Sequence, residues 1–238
     1  MCGRYNLITD AEALVDFFEI DRVLFEASGL GPRYNIAPGQ NVPIIRNAGH
    51  CNELLLARWG LVPHWSREPG TKYSTINARA ETVAEKPSYR DAFKRKRCLI
   101  PANGFYEWRR DGDKKTPHHI HAPDNSLLAF AGLWDHWEKQ GEGFDSCSII
   151  VTAASRAMQP IHERMPVILN PAQYSTWLNP AHYNRAQLES MLVPYAGSLE
   201  IDQISRFVNS PENDGPGCVA PLVYPATDID PFSGPGSG

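Results

Sequence analysis

The apolar positions of this chain fall mostly in short runs with turn signals between them. VPIIRN (42–47) and ELLLARWG (53–60) flank a polar turn at 48–52 and predict a hairpin. CLIPANGFYEW (98–108), PHHIHA (117–122), LLAFAGLWDHW (127–137) and CSIIVTAA (147–154) predict further strands, with a turn at Asp111, Gly112 and Asp113 between the first two. IHERMPVIL (161–169) reads as a loop running into a strand, and 199–208 reads as a strand. Helical signals are fewer. Thr9 to Glu12 make a capping-box pattern ahead of ALVDFF and predict a helix near 10–19. The charged stretch 81–97 reads as partly helical, with KRKR (94–97) as a solvated helix face. Asn170 and Pro171 carry the start signature of a short helix through Trp177, and 184–192 predicts another. GPRYNIAPGQ (31–40), GLVPHWSREPG (60–70) and NSPENDGPGC (209–218) are loops, the second with an aromatic tip.

Strands predominate, and none alternates with a long helix. The pattern predicts an α+β single domain with an antiparallel core, not a Rossmann-type sheet. No internal repeat or linker divides the chain. One domain is expected over 1–226, with 227–238, ending PFSGPGSG, as a flexible tail.

Composition narrows the function classes. The 238 residues suffice to bury a core without disulfide staples. Net charge is -4, so contact with nucleic acid needs a local basic patch. The five cysteines, at 2, 51, 98, 147 and 218, are odd in number and lack CxxC spacing, which argues against a disulfide framework and a structural zinc. HHIH (118–121) alternates along a strand, His119 and His121 on one side and His118 on the other, with no carboxylate or cysteine spacing to make a metal site. No run approaches the ~20 apolar residues of a membrane span, and Asp10, Glu12, Asp16 and Glu19 exclude a signal peptide. A reducing compartment, the cytoplasm or nucleoid, is expected, without a membrane partner.

The chain begins MCGRYN. If Met1 is removed, Cys2 carries a free α-amine and a thiol on adjacent carbons. Reference pKa values of ~7.7–8.0 and ~8.5 leave much of the amine neutral near pH 7.5, and modest tuning frees the thiolate. Two chemistries use such a residue. The thiol can attack an acyl carbon while the amine takes its proton. Alternatively the amine condenses with an aldehyde and the thiol closes on the imine as a five-membered thiazolidine, an intramolecular step. Cysteine, rather than serine or threonine, leans toward the second.

Other residues suit such chemistry. Glu107, in GFYEW, shares a strand face with Phe105, and its aromatic flanks predict a raised pKa suited to acid–base work. His162 lies in PIHERMP, a loop pinned by two prolines, and suits proton transfer. Asn77, in STINARAET, can orient an amine or a carbonyl. Arg4, Arg79 and Arg164 each lie within two residues of one of these candidates and have the planar fork that phosphate prefers. Trp65 in VPHW can stack on a base.

Together MCGRY (1–5), PRYNIAPGQ (32–40), WGLVPHW (59–65), INARAET (76–82), CLIPANGFYEW (98–108), IHERMPVIL (161–169) and VNSPENDGPGC (208–218) resemble the SRAP domain of the SOS response-associated peptidase family. The stretches stand in family order along nearly the whole chain. The resemblance implies a β-barrel-like core flanked by helices, no cofactor, and a monomer. It also implies shielding of abasic sites in single-stranded DNA by a covalent crosslink. Cys2 would be the crosslinking residue, Asn77 would position amine and sugar, Glu107 would shuttle protons, and His162 would assist at the sugar hydroxyl and in crosslink reversal. Arg4, Arg79 and Arg164 would hold flanking phosphates, and Trp65 would sit at the DNA bend or junction. The family name adds a peptidase activity, and removal of Met1 is either autocatalytic or the work of a separate aminopeptidase. Some bacterial members carry paired tryptophans at the loop tip, where this chain has His64 and Trp65. The rival reading is a class II glutamine amidotransferase, which also begins Met-Cys-Gly, with Asn103 and Gly104 as its oxyanion hole. A non-catalytic DNA-binding module is the third.

Overall fold

A computed structural model describes residues 2–26, 30–70 and 74–222. The tail at 227–238 and Met1 lie outside the described residues. In chain order the elements are β1 (Tyr5–Leu7), α1 (Ala11–Phe18), β2 (Arg22–Val23), β3 (Arg33–Ile36), β4 (Asn41–Asn47), β5 (Asn52–Trp59), β6 (Asn77–Arg79), α2 (Arg90–Arg95), β7 (Arg97–Ala102), β8 (Gly104–Asp111) and β9 (Lys114–His121). β10 (Leu128–Lys139), β11 (Glu142–Ala153), β12 (Arg164–Pro166), α3 (Pro171–Leu178), α4 (Arg185–Ser190) and β13 (Glu200–Gln203) complete them.

The expected hairpin is β4–β5, with Asn47 opposite Asn52. β4 also meets β7, which pairs with β10, which pairs with β11. The ring closes where β5 returns to β11, Arg58 opposite Ser146 and Trp59 opposite Cys147. The closing pair is parallel, the other four antiparallel, and the result is a five-stranded barrel that leaves no open edge between its members. A second sheet, ordered β13-β9-β8-β1-β3, packs beside it.

Sequence pattern and structure differ informatively at 98–108. The pattern predicts one strand, and the chain makes two, β7 in the barrel and β8 in the second sheet. Asn103 makes the break, because its Oδ1 accepts from the backbone N–H of Ile8 and of Thr9, and its Nδ2 donates to Thr9 Oγ1. Gly104 then passes so close to β9 that a Cβ would lie 2.7 Å from the Ile120 carbonyl oxygen. Thr9 is thereby engaged elsewhere, and the cap of α1 is Asp10, whose side chain accepts from Ala13 N–H.

The KRKR run also departs from its expected solvated role. Lys94 and Arg95 end α2 in solvent, but Arg97 is buried at the start of β7. Its guanidinium donates to the carbonyls of Phe93, Lys94, Trp177, Asn179 and His182, tying α2 and β7 to the chain around α3. Arginine is the one side chain with five fixed donors for such a knot. The seam between barrel and second sheet is aromatic. Fully buried Tyr5 packs edge-on against Trp59 (5.3 Å) and Phe130 (6.0 Å), and Phe105 packs edge-on against Phe130.

Arg97→Gln leaves several of these carbonyls without donors, each worth about 1–3 kcal/mol when buried and unpaired. Urea unfolding should therefore show a loss of about 3 kcal/mol or more, while Arg95→Gln, in solvent, should change stability by less than about 0.5 kcal/mol.

Candidate active site

β1 fixes the N-terminus. It is inserted between β3 and β8, with Tyr5 opposite both Ile36 and Phe105, and Tyr106 N–H donates to the Arg4 carbonyl at 3.0 Å. That register, carried outward, lays Cys2 and Gly3 beside Glu107 and Trp108. Cys2 is fully buried. β6 approaches from the barrel side, held by its parallel pairing with β11 and by the Trp59 indole N–H on the Ile76 carbonyl. Asn77, the first residue of β6, donates from Nδ2 to the Cys2 carbonyl at 2.8 Å, and its Oδ1 is buried with no partner among the described residues.

Glu107 is buried rather than solvent-facing, and burial pushes its carboxyl up to about 7. This agrees with the strand-face expectation, including the shared face with buried Phe105. The thiol is different. Burial first, and the nearby Glu107 charge second, push the Cys2 thiol far above its ordinary value. The expectation that modest tuning frees a thiolate is therefore corrected. In this packed environment the sulfur stays protonated until a base removes the proton.

His162 is half-buried at the entry to β12. In the neutral ring Nδ1 lies 3.0 Å from the Arg164 backbone N and 3.3 Å from the Arg164 carbonyl oxygen, so it accepts from the one or donates to the other according to tautomer. Burial lowers its pKa and favours that neutral ring. Glu107 and His162 face one cavity of about 330 Å³, with Trp108, Arg110, Lys115 and Asn209 completing the wall. Thus Cys2, Asn77, Glu107 and His162, distant in sequence, converge. A larger cavity of about 650 Å³ between α1, α3 and the β4–β5 turn contains none of them.

The arginines separate. Arg79 is exposed on β6 opposite Val151 of β11, and Arg164 lies opposite Ala153, so both come to the same end of the barrel. Arg164 is ion-paired with Glu81, and no such pair holds Arg79 among the described residues. Arg4 is largely occupied. It donates to Asn35 Oδ1 at 2.6 Å, to the Val208 carbonyl at 3.0 Å and to the Asn209 carbonyl at 3.1 Å. Trp65 is 54% exposed at its loop tip. The preceding residue, His64, anchors the loop through its N–H and Nδ1 on buried Asp135.

A family model, SOS response associated peptidase (SRAP), matches residues 1–211. The chain belongs to the SRAP family. Its relatives include the abasic site processing protein YoqW of Bacillus subtilis, 44% identical over 219 residues that cover 91% of this chain and 97% of that one. The abasic site processing protein HMCES of Xenopus tropicalis is 33% identical, covering 81% of this chain and 67% of that protein. Among solved structures, a protein from Bacteroides thetaiotaomicron superposes with a TM-score of 0.84 at 30% identity, covering 93% of this chain and all of that one. The SRAP assignment agrees with the resemblance read from the motifs, and the barrel agrees with the fold it implied.

The sequence reading missed Trp108, Arg110, Lys115 and Asn209. Trp108 stands beside Glu107 in the quoted motif, and Arg110 and Lys115 are opposed across the DGD turn, so the hairpin prediction was the available signal. Asn209 lies in the quoted motif VNSPENDGPGC, but its place beside Trp108 depends on a segment from the far end of the chain. Among the described residues no group of three or more His, Cys, Asp and Glu side chains is disposed to hold a metal. His119 and His121 stack at 4.7 Å on one side of β9, and His118 lies opposite Glu107. No helix of the described residues is long and apolar enough to cross a membrane.

Because Glu107 binds its proton more tightly folded than unfolded, its contribution to stability is full below about 4.5 and is lost as pH rises through about 7. Melting temperatures followed from pH 5 to pH 8 should fall more steeply in the wild type than in Glu107→Gln. Parallel curves would remove the raised carboxyl.

Proposed function

We propose that this protein joins itself covalently to abasic sites in single-stranded DNA through Cys2, once Met1 has been removed. The observation that carries this reading is the buried, unpaired Asn77 Oδ1 beside a Cys2 whose carbonyl the same amide already holds. A free α-amine at Cys2 supplies the donor that Oδ1 lacks. The names of the relatives, abasic site processing proteins, support the substrate class.

The steps balance without an oxidant or a cofactor. The neutral α-amine adds to the C1′ aldehyde of the ring-opened deoxyribose, and the carbinolamine loses water to an imine. The thiol then adds across C=N, forming the S–C1′ bond while its proton passes to nitrogen by way of a base. Glu107, with a carboxyl near 7, donates to the sugar oxygen during ring opening and accepts from the thiol during closure. Its burial beside the thiol explains why a high thiol pKa is no obstacle, since base and sulfur are packed together. His162 exchanges a proton with the sugar hydroxyl and serves again in reversal. Arg79 and Arg164 hold flanking phosphates, and Trp65 stacks at the bend. Arg4 acts chiefly by holding the 208–209 segment. Self-removal of Met1 is the proposed meaning of the peptidase in the family name, and action on DNA at the nucleoid, as a monomer, is part of the same proposal.

The amidotransferase reading is disfavoured by Asn103. Its side chain is spent on the β1–α1 turn, so Asn103 and Gly104 do not offer an open oxyanion hole.

Denaturing electrophoresis with a single-stranded oligonucleotide carrying one enzymatically made abasic site should show a shifted covalent band. Cys2→Ala, or a chain retaining Met1, should show none. A full-rate adduct from the Met1-retaining chain excludes the thiazolidine, and ammonia release from glutamine without any adduct transfers the function to the amidotransferase class. Glu107→Gln should slow adduct formation by about 10²–10⁴-fold near neutrality, the usual worth of a positioned acid–base group. A pH–rate profile unchanged by that substitution removes Glu107 from the chemistry.

A further inference from the structure

The wall of the 330 Å³ cavity opposite the thiol has a use that the crosslinking chemistry does not absorb. Arg110 and Lys115 are directly opposed on the β8–β9 hairpin, and both are exposed. No carboxylate pairs with either of them among the described residues. Arg110 lies close enough to His162 for its charge to help hold that ring neutral. The one carboxyl on the cavity wall, Glu107, is buried.

Asn209 adds a directed donor. Its Oδ1 accepts the Trp108 indole N–H at 2.8 Å, and its backbone carbonyl accepts from Arg4 at 3.1 Å. Fixing the amide oxygen on an indole fixes the amide nitrogen on the other side, and no hydrogen bond from that nitrogen is made among the described residues. The segment carrying it is itself clamped. Asn35 Nδ2 donates to the carbonyls of Val208, Ser210 and Asn213, and Asp214 accepts from the Asn35 N–H. So much hydrogen bonding on an exposed loop keeps one asparagine amide in one orientation at the mouth of the cavity.

We infer that Arg110, Lys115 and the side-chain amide of Asn209 form a phosphate subsite for the DNA backbone next to the reacting sugar, separate from Arg79 and Arg164. Two unpaired cations with a preset neutral donor match a phosphodiester, which offers two charged oxygens and wants no proton. The inference rests on the single-stranded DNA reading above. It also gives Trp108 and Arg4 a part as positioning residues, since they hold Asn209 by its oxygen and its backbone.

The test uses single-stranded DNA carrying a tetrahydrofuran abasic analogue, which has no aldehyde and cannot crosslink. Binding is followed by fluorescence anisotropy from low to high salt. In single strands each neutralised phosphate contributes about 0.7 to the slope of log affinity against log salt. Arg110→Gln/Lys115→Gln should lower that slope by about 0.7 or more. Asn209→Asp, which sets a carboxylate against the phosphate, should weaken binding, whereas Asn209→Gln should recover part of it. Lys94→Gln/Arg95→Gln removes the same charge from the exposed end of α2 and serves as control. An unchanged slope in the first double variant, or an equal fall in the control, overturns the subsite. A chain that binds this DNA with the expected slopes yet gives no adduct with true abasic DNA overturns the crosslink alone.

Discussion

The insertion of β1 between β3 and β8 is the constraint on which the site depends. A chain terminus is ordinarily among the least ordered parts of a domain. Here Tyr5 is fully buried against Trp59 and Phe130, at the seam where the barrel meets the second sheet. Backbone pairing on both sides of β1 sets the register, and three residues before Tyr5 the chain arrives at Cys2, whose carbonyl Asn77 holds. The candidate nucleophile is positioned by core packing several residues away, not by a loop of its own.

Burial then sets the electrostatics. Cys2 and Glu107 both titrate above their ordinary values because water is excluded from around them. For a sulfur nucleophile acting alone that would be a handicap. In the proposed mechanism it is a division of labour, because the amine attacks first and the sulfur closes a ring whose reacting atoms are already adjacent. The same proposal passes the thiol proton to Glu107, whose carboxyl burial raises to about 7, while burial lowers the pKa of His162.

Much of this was legible along the chain. The hairpins followed from alternation and from DGD, and α1 and α3 from their caps. The candidate residues could be named because each sits in a short, unusual motif. Several features were misread, among them the loop expected over 31–40, where Arg33–Ile36 forms β3 beside β1, and two share one reason. The stretch 98–108 has continuous strand character, but the side chain of Asn103 and the tight passage at Gly104 divide it between two sheets. KRKR has the composition of a solvent face, but five carbonyls from distant segments draw Arg97 inward. Local pattern reports what a residue prefers, and both outcomes were decided by partners far along the chain.

The sequence by itself pointed to most of the elements, to the family, and to Cys2, Asn77, Glu107 and His162 as candidates, because these depend on residue type and neighbours in the chain. The tertiary structure alone decided the parallel closure of the barrel, the high pKa of the thiol, the occupation of Arg4 by the 208–209 segment, and the gathering of Arg110, Lys115 and Asn209 on one cavity. Each of these depends on which groups exclude water from, or donate to, a given atom. Contacts between residues as far apart as Arg4 and Val208 are set by the fold, not by spacing.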